Sequence, residues 1–95
     1  MFGISFNKVT GDSMFPRLKN GNFVLLTEHF DRQSLKAGDM LKLLHPRYGY
    51  MVKTLVGIDH GGWFWFKGEN KKSVSINDIG PIAPQQIKSK VIFVC

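Results

Sequence analysis

Ser13 and Lys53 are the two side chains whose surroundings could support covalent chemistry. Ser13 stands in the loop-forming hexapeptide Gly11-Asp12-Ser13-Met14-Phe15-Pro16, and Lys53 interrupts the apolar run Tyr50-Met51-Val52-Lys53-Thr54-Leu55-Val56. A serine hydroxyl is a weak nucleophile until a base removes its proton. A lysine can be that base only if desolvation brings its pKa down from about 10.4 towards neutrality. In an alternating strand Lys53 shares a face with Met51 and Leu55, while Val52, Thr54 and Val56 take the other. Both faces are largely apolar, so the ammonium is partly buried whichever way it points. Met14 and Pro16 stiffen the serine loop and keep water from it. The pair therefore reads as a Ser/Lys catalytic dyad. The same residue types also fit a turn serine and a lysine that lies along a strand edge with its charge in water.

Other chemistry has less support. His29, His45 and His60 share no ligand spacing, and the lone cysteine, Cys95, offers them no partner, so neither a metal site nor a cofactor is expected. A triad joining one histidine to Asp12, Asp39 or Asp59 is an alternative that only geometry can judge. The net charge of +6 and pI of 9.7 invite an acidic partner. The basic residues are nevertheless dispersed, with Lys71-Lys72 the longest run, and no nucleic-acid-binding motif is present. No targeting pattern or long apolar stretch is visible, and a single cysteine excludes a disulfide framework. A soluble, cytoplasmic protein with no membrane span is expected.

The elements that must position the pair are strands. Alternating or apolar stretches predict strands over Phe2 to Val9, Asn22 to Thr27, Met40 to Leu44, Tyr50 to Ile58, Trp63 to Lys67 and Lys88 to Val94. Turn residues separate them at Lys19-Asn20-Gly21-Asn22, His45-Pro46-Arg47-Tyr48-Gly49 and Asp59-His60-Gly61-Gly62. Glu28 to Gly38 is a polar connection with room for one helical turn, and a loop at Gly68 to Lys72 leads into a short segment ending at Ile82. The aromatic strand Trp63-Phe64-Trp65-Phe66 predicts core on one side and a covering loop on the other, or an exposed binding patch. Its 95 residues make one all-β domain, residues 1–95, whose sheet coils into a small barrel-like body.

Within this frame the chain resembles the catalytic core of type I signal peptidases and the self-cleaving LexA-type and UmuD-type proteins. Gly11-Asp12-Ser13-Met14-Phe15-Pro16, with Leu18, Gly21-Asn22 and Val24-Leu25-Leu26, resembles the nucleophile box. Gly38-Asp39-Met40-Leu41 resembles the second Gly-Asp strand, and Val52-Lys53-Thr54-Leu55-Val56-Gly57 the lysine box. Gly68-Glu69-Asn70, Ser73 and Gly80-Pro81-Ile82 resemble the last box.

The resemblance implies a serine endopeptidase acting on a protein or peptide precursor. Ser13 would be the nucleophile, Lys53 the general base, and the Ser13 N–H an oxyanion donor. Gly11, Asp12, Met14 and Pro16 would shape the loop, and Gly68, Asn70, Ser73 and Ser75 would support the lysine. His45-Pro46-Arg47, Gly61-Gly62-Trp63 and Gly80-Pro81-Ile82 look similar to the small anchorless proteases that mature nickel-type superoxide dismutase, which implies trimming of a metalloprotein leader.

There are departures. Thr54 stands where the family has arginine, while Asn22 and Glu69 stand in place of aspartates. Gly11 replaces a serine, and Ser75-Ile76-Asn77 aligns one residue short with an Asp-Ser-Arg segment. A peptide-binding module without catalysis, or a basic nucleic-acid-binding domain, are the other functions these features allow.

Overall fold

The computed structural model describes residues 3–95. They form strands β1 (Ile4–Lys8), β2 (Phe23–Thr27), β3 (Met40–His45), β4 (Gly49–Ile58), β5 (Phe64–Lys67) and β6 (Ile87–Val94). Between them lie a one-turn helix, α1 (Ile76–Ile79), and 3-10 turns at Arg32–Ser34 and Pro84–Gln86. All six expected strands are found, with ends displaced by a residue or two. Trp63 belongs to the turn before β5 rather than to the strand, and the expected start at Phe2 lies outside the described residues.

The strands make one antiparallel sheet ordered β1-β2-β6-β3-β4-β5. Alternation decides which side each residue serves. Leu41, Leu43, Leu55, Phe66 and Ile87 join Leu35, Phe64, Ile79 and Ile82 in one buried cluster. Val24, Leu26 and Val91 form a second cluster, completed by Met14 and Leu18 from the loop after β1. In β4 three consecutive residues, Lys53, Thr54 and Leu55, are buried. Such a run requires both faces of the sheet to be covered at that point.

The turn between β4 and β5 is organised by Asp59. Its carboxylate accepts from the Gly61 and Trp63 amides at 2.9 and 3.0 Å and from Trp65 Nε1 at 2.8 Å. The Trp65 bond first, then the backbone donors, hold its pKa below the ordinary carboxylate value. Phe64 and Phe66 point into the core, Trp65 is half-buried, and Trp63 remains exposed. The aromatic strand is thus mainly core.

The barrel expectation needs correction. The sheet is strongly coiled but open, with β1 and β5 as its two ends. Coiling follows from one side-chain bond, Lys42 Nζ to Asn7 Oδ1 at 2.8 Å, which joins β3 to β1 across the intervening β2 and β6. A flat sheet would hold those strands about 14 Å apart, three spacings of about 4.8 Å, beyond the reach of the two side chains. The sheet is not closed, since β1 and β5 do not pair, and Met14 and Leu18 pack with Val24, Leu26 and Val91. Among the described residues no helix is long and apolar enough to cross a membrane.

Leu18 is 1% exposed and wedges the coil from inside. Leu18→Ala is expected to lower the free energy of unfolding by about 2–5 kcal/mol, read from urea denaturation. A loss below about 1 kcal/mol would mean that the wedge is not needed.

Candidate active site

The serine loop is built from its ends inward. Val9 pairs with Asn22 and Gly21 (2.7 and 2.9 Å), which brings the loop's exit back beside its entrance. Gly11 adopts φ of 86°, a left-handed conformation that disfavours side chains, and donates its N–H to Asn20 Oδ1 at 3.0 Å. Phe15 N donates to Asp12 O at 3.0 Å, and Leu18 N to Met14 O at 2.9 Å. With Met14 and Leu18 buried on one side of these turns, Ser13 is left exposed on the other. Pro16, after a cis peptide bond, is also exposed.

The Ser13 carbonyl is the most heavily bonded acceptor in the loop. It receives Glu69 N at 2.9 Å, Asn70 N at 3.1 Å and Ser73 Oγ at 2.5 Å, while Asn70 Nδ2 donates to the neighbouring Asp12 carbonyl at 3.1 Å. This approach explains Gly68. A Cβ there would stand 2.9 Å from the Ser13 carbonyl oxygen and overlap the Ser73 side chain. Among the described residues the Ser13 amide and hydroxyl donate to no protein acceptor.

Lys53 lies in β4, opposite Leu41 of β3. Strand β5 pairs with β4 only from Thr54 onward, so Lys53 is the first residue beyond that ladder and residues 49–53 present an unpaired edge. The residue is 3% exposed, and its ammonium has no hydrogen bond or ion pair among the described residues. Burial alone therefore acts on it and pushes its pKa below the ordinary lysine value.

Ser13 and Lys53 line the same groove, of about 460 Å³. Its walls come from both core clusters: Met14, Leu18, Val24 and Val52 on one side, Met51 and Val74 on the other. The two residues do not hydrogen-bond directly. Catalytic hydrogen bonds in unliganded enzymes are often long and shorten only when substrate binds.

The segment after β5 differs from its expected role. Gly68, Asn70 and Ser73, expected to support Lys53, instead meet the backbone of the serine loop. Ser75 caps α1, its hydroxyl accepting from Asp78 N at 3.1 Å. The chain folds back over Ser13 immediately after β5, so its polar groups meet the backbone of the serine loop. Ser75-Ile76-Asn77-Asp78 carries the signal for that cap, a serine followed three residues later by an acid.

Two residues singled out only as departures, Thr54 and Glu69, bond each other. Thr54 Oγ1 donates to Glu69 Oε2 at 2.5 Å, and Arg17 Nη1 lies 3.7 Å from the same oxygen while donating to the Gly38 carbonyl at 2.9 Å. Arg17 has no sequence signal beyond standing four residues after the serine. Glu69 therefore touches both halves of the pair, Ser13 through its amide and the neighbour of Lys53 through its carboxylate.

The histidine alternatives fare differently. His45 is buried and engages both ring nitrogens with backbone: Nδ1 accepts from Arg47 N and Tyr48 N at 3.0 and 3.2 Å, so Nε2 carries the proton and donates to Ile79 O at 2.7 Å. Asp39 pairs with Lys90 at 3.8 Å rather than with a histidine. Among the described residues no group of three or more His, Cys, Asp or Glu side chains could hold a metal. Compared with known protein families, curated proteins and solved structures, the chain matches none.

Burial of Lys53 has a consequence that does not depend on catalysis. Its folded-state pKa is lowered, so between that value and the unfolded one the unfolded chain binds more protons, and stability rises with pH. Lys53→Met removes this penalty. The variant should melt at a higher temperature than the parent at pH 7, with the gap closing above about pH 10.4. A gap that is absent at pH 7, or unchanged at high pH, would show that the ammonium is not desolvated.

Proposed function

We propose that the protein is a serine endopeptidase of the signal peptidase and LexA type, with Ser13 as nucleophile and Lys53 as general base. The observation that carries this reading is the shared groove. It brings an unbonded, exposed serine hydroxyl together with a buried lysine that has no counter-ion. A lysine with a lowered pKa has the uncharged fraction a base requires.

Each step follows from these groups. Neutral Lys53 takes the Ser13 proton as Oγ attacks the scissile carbonyl. The resulting oxyanion accepts from the free Ser13 N–H, which is anchored because the adjoining carbonyl is triply bonded. Protonated Lys53 then delivers its proton to the leaving amine, and water repeats the sequence to release the acyl group. The unpaired edge over residues 49–53 suits an extended substrate strand, which would gain backbone bonds there. Cleavage of a leader or precursor segment, including that of a metalloprotein, follows from the resemblance. The one free cysteine, Cys95, fits a reducing, cytoplasmic setting.

A second reading, peptide binding without cleavage, is favoured by the missing Ser13–Lys53 hydrogen bond. Both are tested by mass spectrometry of a proteome-derived peptide library incubated with the parent, Ser13→Ala and Lys53→Met. Cleavage by the parent should fall roughly 10³-fold or more in each variant. Because the base must be neutral, kcat/KM should rise with pH through the lowered lysine pKa and lose its rate on the acid side. Equal cleavage by all three proteins, or a rate flat from about pH 6 to 10, would remove the Ser/Lys mechanism.

A further inference from the structure

We propose that the groove selects peptides carrying a carboxylate, and that Lys42 is the residue that binds it. The proposal deepens the reading of the groove as a peptide site, but its test needs no cleavage.

The groove is lined by three lysines, Lys8, Lys42 and Lys53, and by no aspartate or glutamate. The ion pairs formed among the described residues, Arg17–Glu69 and Lys90–Asp39, involve none of the three. Lys53 is buried, and its pKa is pushed down. Lys42 is held differently. It is half-buried in the central part of the sheet, donates to Asn7 Oδ1 at 2.8 Å, and lies 5.0 Å from the centre of the Tyr50 ring.

An amide oxygen and an aromatic face fix an ammonium in place without neutralising it. Two of its three hydrogen-bond donors remain for a ligand. This is a cation positioned for an anion that the protein itself does not supply. Lys42 lines the same groove as Ser13 and Lys53, and it reaches that groove from the sheet face opposite to that of Lys53, because its strand partner is Val52. A carboxylate bound there would belong to a peptide lying in that groove, either as an acidic side chain or as its C-terminus.

A second cavity of about 290 Å³ shares Lys42 and Tyr50 but also contains Glu28. Its mixed charge argues against selection on that side. The preference belongs to the groove that holds Ser13.

The test uses the full chain carrying Ser13→Ala, immobilised and exposed to two degenerate peptide libraries, one with free and one with amidated C-termini. Retained peptides are sequenced. Enrichment of Asp or Glu in both libraries identifies an acidic side chain as the ligand. Retention that requires the free C-terminus identifies the terminal carboxylate. Either supports the proposal if the preference falls roughly tenfold in Lys42→Gln, survives in Lys42→Arg, and weakens in 1 M salt. Thermal melts of the variants establish that they fold, and the salt series tests the charge in the unaltered site should Lys42→Gln not fold.

The proposal is overturned by retention without carboxylate preference, by a preference unchanged in Lys42→Gln, or by no retention at all. Carboxylate-selective binding alongside an absence of cleavage by the parent would sink the peptidase reading and leave the Lys42 assignment standing.

Discussion

One ammonium group constrains this molecule more than any other. Lys53 is buried in β4 without a counter-ion, in a chain of 95 residues. Domains of this size keep only about 5–15 kcal/mol of net stability, so a desolvated charge is a serious liability. The fold tolerates it by leaving the residue at the end of a ladder, where the groove gives the amine limited access to water. Covering β4 on both faces creates the dryness, and ending β5 at Lys67 creates the opening. The same two features that make Lys53 costly are the ones the proposed base role would use.

The groove depends on the sheet stopping short of a barrel. Backbone closure would leave no free strand edge and no space for a peptide. Met14 and Leu18 pack into the second core cluster, and they are also the residues that fix the serine loop. Core packing and the placement of Ser13 are thus one arrangement. A change that loosens one should loosen the other, which separates this loop from surface loops that vary without consequence.

Much of this was legible in the sequence, for definite reasons. The strands announce themselves through alternation and through turns such as Lys19-Asn20-Gly21-Asn22, which are local properties. Lys53 could be read as buried because its neighbours on both faces are apolar. The degree of coiling could not be read, since it depends on packing between strands that are distant in the chain. Nor could the Lys42–Asn7 bond, which joins strands that are not sheet neighbours. The path of the segment after β5 is not a local property either: it brings the Asn70 and Ser73 side chains to the Asp12 and Ser13 carbonyls.

The Arg17–Glu69–Thr54 contacts give the departures around Lys53 a physical meaning. An arginine at position 54 would put a second cation beside the lysine. Threonine there is neutral, and the cation near Glu69 comes instead from Arg17 in the serine loop. As a stabilising ion pair this is weak, because its arginine is 40% exposed and such pairs contribute about 0–1 kcal/mol. Its importance is geometric. Glu69 holds the Ser13 carbonyl with its amide and Thr54 with its carboxylate, which ties the loop that carries Ser13 to the strand that carries Lys53. Under the proposed Ser/Lys mechanism no third residue orients the base, and the Glu69 tether would supply that orientation through the backbone on either side.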